Sequence, residues 1–416
     1  MSRAPTPVQL ILLMCGVEVL SMVGAVTFPA LLPTFIDVWN LSKTDAGWIN
    51  GIYYAGYLTA VPMLMSLTDR MSPRRIYLAC LVVSALASLG FATLTDGFWT
   101  AMLFRALGGV GLAGSYMPGL KLLTDHLEHA RPHQDHSRAV AFYTSSFGIG
   151  TSLSFFMAGE IAGRWDWQTA FAVTVAGPLL GALLSVALLP REDPRPHQAP
   201  STHLLDFRPV LRCRAAMGYV LAYTVHNFEL FVYRSWMVTF LVFAAATRPG
   251  QGMLLSATAW VAIANLFGLP SSVLGNELSR RIGRHRAITI IQWTSAAFAS
   301  GLGFAAGAPF WVVIVLIMLY GWTITGESSS VTAGVMAAAP PGYRGATMAV
   351  HSCIGFVGSF AGPLLFGVAL DLTSINGAGG DSISSWGWAF AFSGAVVALG
   401  PIALAMSRDK REARKA

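Results

Sequence analysis

The sequence predicts an all-helical membrane protein that crosses the bilayer twelve times. Three observations carry this reading. Hydrophobic residues make up 54% of the chain and charged residues only 11%, against about 25% charged in a soluble protein. The apolar residues fall into twelve stretches separated by short loops. The runs from Ile76 to Leu94 and from Thr169 to Pro190 carry no charge at all. At 1.5 Å per residue each covers roughly 30 Å, the thickness of the hydrocarbon core. A soluble fold is excluded.

The predicted spans are residues 9–34, 45–68, 75–94, 98–121, 139–162, 168–190, 215–244, 253–277, 287–306, 310–336, 346–371 and 387–407. Span 1 is apolar apart from Glu18. Span 2 ends where Asp69 and Arg70 begin a turn, and span 3 follows Pro73-Arg74-Arg75. Phe98-Trp99 opens span 4, which holds Arg105. Arg138 precedes span 5, and Asp166-Trp167 opens span 6. A polar stretch, residues 191–213, then interrupts the chain. Span 7 carries His226, Glu229 and Arg234. Spans 8 and 9 are joined by a turn rich in arginine, and Phe310-Trp311 opens span 10. Arg344 precedes span 11, and Gly387-Trp388 opens span 12.

Charge sets the orientation. With the N-terminus in the cytoplasm, the cytoplasmic segments hold 22 of the 27 lysines and arginines. The outer loops then hold only Lys43, Arg164 and Arg248. That ratio is a strong positive-inside signal. The net charge of +7 follows from topology and from anionic lipid headgroups, so no nucleic-acid partner is needed. Both termini are expected in the cytoplasm, in the cytoplasmic (inner) membrane. The N-terminal apolar stretch is too long for a cleavable signal peptide and contains Glu18. Cys15, Cys80, Cys213 and Cys353 lie in spans or at cytoplasmic ends, so no disulfide is expected.

The chain reads as an internal duplication. The division is an N-terminal six-helix bundle over 1–190, a linker over 191–213, and a C-terminal bundle with a short basic tail over 214–416. Phe98-Trp99 with Gly109 and Gly114 is repeated, at the same spacings, by Phe310-Trp311 with Gly321 and Gly326. Such repeats mark secondary transporters, whose substrate sites lie near the midplane. The glycines, Gly358-x-x-x-Gly362 among them, fit close helix packing.

The loop motifs narrow the reading. Between spans 2 and 3 stands Leu67-Thr68-Asp69-Arg70-Met71-Ser72-Pro73-Arg74-Arg75. Between spans 8 and 9 stands Leu278-Ser279-Arg280-Arg281-Ile282-Gly283-Arg284. Span 4 carries Arg105-Ala106-Leu107-Gly108-Gly109-Val110-Gly111. Together with the 6+6 layout, these resemble the major facilitator superfamily over the whole chain. The departures are Met65 and Ser72 where the first loop has glycine, and Arg280 where the second has aspartate. The resemblance implies the major facilitator fold, with twelve helices in two pseudo-symmetric bundles. It implies a cytoplasmic gate built from Asp69, Arg70, Arg74, Arg281 and Arg284. It also implies that spans 1, 4, 7 and 10 line a central cavity. The family's antiporter Gly-Pro pair is missing from span 5; a Gly362-Pro363 pair stands in span 11 instead.

Two motifs that look like chemistry carry little. Gly109-x-Gly111-x-x-Gly114 matches a dinucleotide fingerprint, but it lies mid-span with no strand before it. Four of the nine histidines, His126, His129, His133 and His136, crowd the loop after span 4. Pro132 interrupts that stretch, and a solvated loop explains it as well as a metal site does. No metal and no cofactor are expected, and the absence of a Walker loop removes ATP as the driver.

Ionisable residues inside spans are costly and persist where a cavity or a partner stabilises them. They are Glu18, Arg105, Glu160, His226, Glu229, Arg234, Glu327 and His351. Arg105 stays charged at any accessible pH. The family resemblance gives it a cavity-facing role, bonding span 1 or the substrate. Taking a carboxylate out of water favours its neutral form, which suits Glu18 and Glu327 to proton carrying and equally to static hydrogen bonds. His226, Glu229 and Tyr233 share a face of span 7, which also carries Tyr223, and Trp322 stands on span 10.

The function expected is secondary active transport of a small organic solute, anionic or zwitterionic, by a proton-coupled monomer. Its partners are the solute, protons and the bilayer. Proton-driven efflux of drugs or amphipathic metabolites is the alternative. A non-transporting sensor or assembly factor on the same scaffold is a third reading, and nothing points to an enzyme. The topology is open to test. A cysteine probe at Ser201 in intact cells should resist a membrane-impermeant reagent added outside; labelling there would overturn the orientation.

Overall fold

The computed structural model describes residues 5–68, 70–131, 134, 136–190, 206–248, 253–374 and 382–407. Among these residues the regular structure is helical throughout. The spans are Lys43–Leu67 for span 2, Pro73–Leu94 for span 3, Phe98–Ala130 for span 4 and Ser137–Arg164 for span 5. In the second half they are Arg214–Ala246 for span 7, Ala257–Ile282 for span 8, Arg284–Leu302 for span 9 and Arg344–Thr373 for span 11. Span 4 runs nine residues past its predicted end at 121, so His126 and His129 lie on the helix and not in a loop.

The other four spans are broken. Span 1 runs Pro7–Met22, Thr27–Ala30 and Leu32–Val38. Span 6 breaks at Val175, with Pro178 three residues later. Span 10 breaks at Glu327, between Phe310–Gly326 and Ser328–Ala337. Span 12 breaks at Ala398, just before Gly400-Pro401. Eight helical stretches are long and apolar enough to cross a membrane by length and composition. Spans 1, 2, 4 and 5 are not among them. Span 1 is fragmented, and the others carry charges such as Asp45, Arg105 and Glu160.

The two helix ends use different chemistry. Spans 6, 8 and 12 start on side-chain caps. The Thr169 amide donates to Asp166 at 2.6 Å, Ala259 to Ser256 at 3.2 Å, and Ser385 to Ser382 at 3.0 Å. Hydrogen bonds from Thr169 hold the exposed Asp166 carboxyl below the usual carboxylate range. The spans that start on the basic side place Arg74, Arg284 and Arg344 in their first turns. Cations there oppose the helix dipole. Topology put them there against local helix preference.

The chain divides into two compact units. The first takes in the chain up to Leu31 and resumes at Ile52; the second takes in Leu32–Gly51 and the chain beyond the linker. In the first unit Gly56 and Gly109 let spans 2 and 4 meet backbone to backbone at Ala106 and Tyr53. In the second, Gly358 and Gly362 seat span 11 on the Thr224 and Phe228 carbonyls of span 7. Asp371, near the end of span 11, accepts from the Lys43 and Thr44 amides at 3.1 and 2.8 Å. That carboxylate caps the start of span 2, whose first residues belong to this unit.

Close packing gives glycine substitutions opposite signs at two sites. Gly358→Ala drives a methyl into the Thr224 carbonyl and should cost about 1–3 kcal/mol. Gly16→Ala meets nothing within 4 Å and should leave stability unchanged or raise it by up to about 1 kcal/mol, since alanine is the better helix former. Thermal unfolding in detergent compares them; equal effects would contradict the packing.

Candidate functional site

Each unit holds a buried polar cluster. In the first, the bend of span 1 frees the carbonyl of Ala25. Arg105 donates to it from Nη1 at 3.0 Å. The guanidinium carbon lies 4.2 Å from the centre of the Tyr53 ring and 5.6 Å from that of Phe28. A planar cation can serve a carbonyl and aromatic faces together. Glu18, with no exposed surface, meets span 5. The Tyr143 hydroxyl donates to Glu18 Oε2 at 3.0 Å and also lies 3.1 Å from the Tyr116 carbonyl. One hydroxyl has one proton to give. With Glu18 ionised, Tyr143 serves the carboxylate. With Glu18 neutral, Glu18 donates to Tyr143, which turns to the carbonyl.

The second cluster joins spans 7, 9 and 10. His226 and Glu229 are three apart on span 7, Gln292 and Ser295 three apart on span 9, and Thr323 and Glu327 four apart on span 10. Such spacings put each pair on one helix face. They meet in two tiers about one helical turn apart. In one tier His226 Nδ1 lies 3.2 Å from Glu327 Oε1, with both side chains almost wholly buried. The contact is electrostatic, because Nδ1 does not make an aligned hydrogen bond. Gln292 lies beside Glu327. In the other tier Ser295 donates to Glu229 Oε1 at 2.7 Å, and Thr323 Oγ1 lies 3.1 Å from Ser295 Oγ.

Glu327 occupies the break of span 10, immediately before the helix that starts at Ser328. Its carboxyl group therefore starts from backbone at a positive helix end. Aromatic rings flank the pair: Tyr223 stacks on His351 at 3.9 Å and on His226 at 5.7 Å between centroids. Nearby, Tyr233 donates its hydroxyl to the Ile317 carbonyl at 3.2 Å. Arg234 Nε donates to Asn265 at 3.4 Å, with its guanidinium over Phe231. Trp322 packs on Phe267 with centroids 4.9 Å apart.

The structure thus brings His226, Glu229, Glu327, Tyr223 and His351 into one neighbourhood. Glu18 and Arg105 form a separate cluster in the first unit. Glu160 pairs with Arg164 at 3.0 Å near the end of span 5. Of the loop residues expected to gate, Asp69 lies outside the described residues. Arg70 continues the turn after span 2 through its amide to Leu67. Arg74 donates to the Val186 carbonyl of span 6 at 3.3 Å, and Arg281 to Glu277 at 3.2 Å. The Nε of Arg284 is buried without an acceptor among the described residues. His126 Nδ1 lies 2.8 Å from the Leu122 carbonyl, and His136 pairs with Glu128 at 3.4 Å. No metal-binding group of three or more His, Cys, Asp or Glu forms among the described residues; His133 and Asp135 lie outside them.

Sequence reasoning missed Tyr143, Gln292, Ser295 and Thr323. All are uncharged, so a search for ionisable residues passes over them. Gln292 was findable as a primary amide inside an apolar helix.

Comparison with known proteins agrees with the architecture. The model of the Major Facilitator Superfamily matches residues 13–363 and 252–416. Human protein spinster homolog 1 is 27% identical over 301 residues, covering 66% of this chain and 55% of that protein. Protein spinster of Drosophila melanogaster is 24% identical over 279 residues, covering 64% and 45%. The matched region thus spans about half the length of these relatives. Among solved structures, the nucleoside transporter NupG superposes with a TM-score of 0.77 at 17% identity, over 96% of this chain and 100% of that one. An inward-facing bacterial homologue of the human lysosomal transporter Spinster gives 0.73 at 15% identity, over 98% and 96%. A D-xylose-proton symporter gives 0.71 at 16% identity, over 93% and 96%.

The Arg105 contacts need the planar fork as well as the charge. Arg105→Lys should therefore lower thermal stability nearly as much as Arg105→Ala. A lysine variant that melts like wild type would show that a point charge suffices.

Proposed function

We propose, from the premise that this chain belongs to the Major Facilitator Superfamily and is a membrane transporter and not an enzyme, that it moves a small organic solute by proton-coupled alternating access. The observation that carries the coupling is the His226–Glu327 pair, 3.2 Å apart and out of water. A buried carboxylate beside an imidazole can exist as an ion pair or as a neutral pair one proton apart. The low-dielectric setting makes the electrostatic difference between those states large. His226 and Glu327 stand on different helices, so a shift of span 10 against span 7 changes the distance on which the choice depends. The break at Glu327 supplies a joint for such a shift.

Glu18 and Tyr143 form a second group able to hold a proton in two ways, and we rank Glu18 behind Glu327 as carrier. The buried arginines support an anionic or zwitterionic solute, with Arg234 the favoured contact and Arg105 the brace of span 1. Tyr223, Tyr233, Trp322 and His351 would supply aromatic surface, and Glu229 lies one tier away. Asp69, Arg70, Arg74, Arg281 and Arg284 are assigned to the basic-side gate. The charge distribution supports the cytoplasmic membrane, with both termini in the cytoplasm and a monomer as the working unit.

Neutralising the carrier separates coupling from movement. In proteoliposomes, Glu327→Gln should abolish solute accumulation driven by a pH gradient and spare exchange of internal for external solute. His226→Gln should weaken accumulation and shift its pH profile. If Glu327→Gln still accumulates solute with the wild-type pH profile, the pair is not the coupling site.

A further inference from the structure

Glu229 raises a question that the His226–Glu327 pair does not answer. It has no exposed surface. Among the described residues no lysine, arginine or histidine pairs with it; its hydrogen-bond donor is Ser295, and the nearest acidic influence is Glu327. Buried charges are ordinarily paired with a cation or coordinate one. Its second oxygen, Oε2, makes no hydrogen bond.

The surroundings are made of oxygen. Tyr320 of span 10 lies beside both Glu229 and Ser393 of span 12. Tyr320 and Ser393 are wholly buried, yet neither hydroxyl has a hydrogen-bond partner of ordinary geometry. Ser295 and Thr323 complete the ring from spans 9 and 10. Four helices thus turn one carboxylate and four hydroxyls toward a shared interior. A neutral carboxylic acid needs one acceptor and one donor, and would leave the Tyr320 and Ser393 hydroxyls idle. Unsatisfied buried polar groups are rare and call for an occupant.

We propose that Glu229 anchors a sodium site inside the C-terminal half, with Ser295, Thr323, Tyr320 and Ser393 as the remaining oxygen donors. A hard cation selects oxygen ligands. A single carboxylate balances one positive charge. The nearby Glu327 is committed to His226, which leaves too little negative charge for a divalent ion. The site stands apart from the proton pair and does not depend on that pair carrying protons.

The test is thermal unfolding of the purified full chain in sodium, potassium or choline chloride at equal ionic strength. Sodium should raise the melting temperature in a saturable way, and the other two salts should not. Ser393→Ala and Tyr320→Phe should melt like wild type in choline and need about tenfold more sodium for half the shift. Glu229→Gln should lose the shift. His226→Gln should keep it, so loss of proton coupling and loss of sodium binding are read separately. Identical melting in all three salts would overturn the proposal. So would an unchanged sodium midpoint in both hydroxyl variants, which holds even if Glu229→Gln fails to fold.

Discussion

A carboxylate inside a bilayer has no water to carry its charge, and the helices around it must supply what water would have given. The rest of this structure follows from that constraint. Glu18 draws the Tyr143 hydroxyl across from span 5. Glu327 draws His226 from span 7, and Glu229 draws Ser295 from span 9. Each contact joins helices distant in sequence, so polar residues that disfavour membrane insertion also fix which helices are neighbours. Glycines then let the backbones close. Gly358 and Gly362 seat span 11 against span 7, which holds His351 and Tyr223 in their stack.

The two units meet the constraint differently. In the first, Arg105 is spread over a carbonyl and two rings, and Glu18 leans on a hydroxyl that can either give or take a proton. In the second, the acidic groups lie one turn apart on facing helices, one beside an imidazole and one among hydroxyls. An imidazole changes charge near neutral pH and hydroxyls do not. That contrast is why Glu327 is assigned to proton exchange and Glu229 to a metal cation.

The membrane class, the span count and the duplication were legible because apolar length and charge asymmetry are written along the chain. The partnerships were not. Glu18 and Glu327 stood out as intramembrane carboxylates, but the Tyr143 and His226 contacts depend on how helices rotate about their axes, which a near-uniform apolar composition does not encode. The breaks in spans 1 and 10 were also missed. The break at Glu327 has no proline, and Gly326 beside it reads as one glycine among 42. The arginines before spans 3, 9 and 11 were readable as topology signals and gave no hint that Arg74 reaches the end of span 6.

The central claim is that solute movement is tied to proton movement through a buried pair. The most direct test is the reversal potential of wild-type protein in proteoliposomes, with opposed solute and pH gradients and the voltage clamped by potassium and valinomycin. The account predicts that net solute flux stops and reverses at a pH difference fixed by the solute gradient and a whole-number proton ratio. Flux that stops only when the solute concentrations are equal, whatever the pH difference, would contradict it.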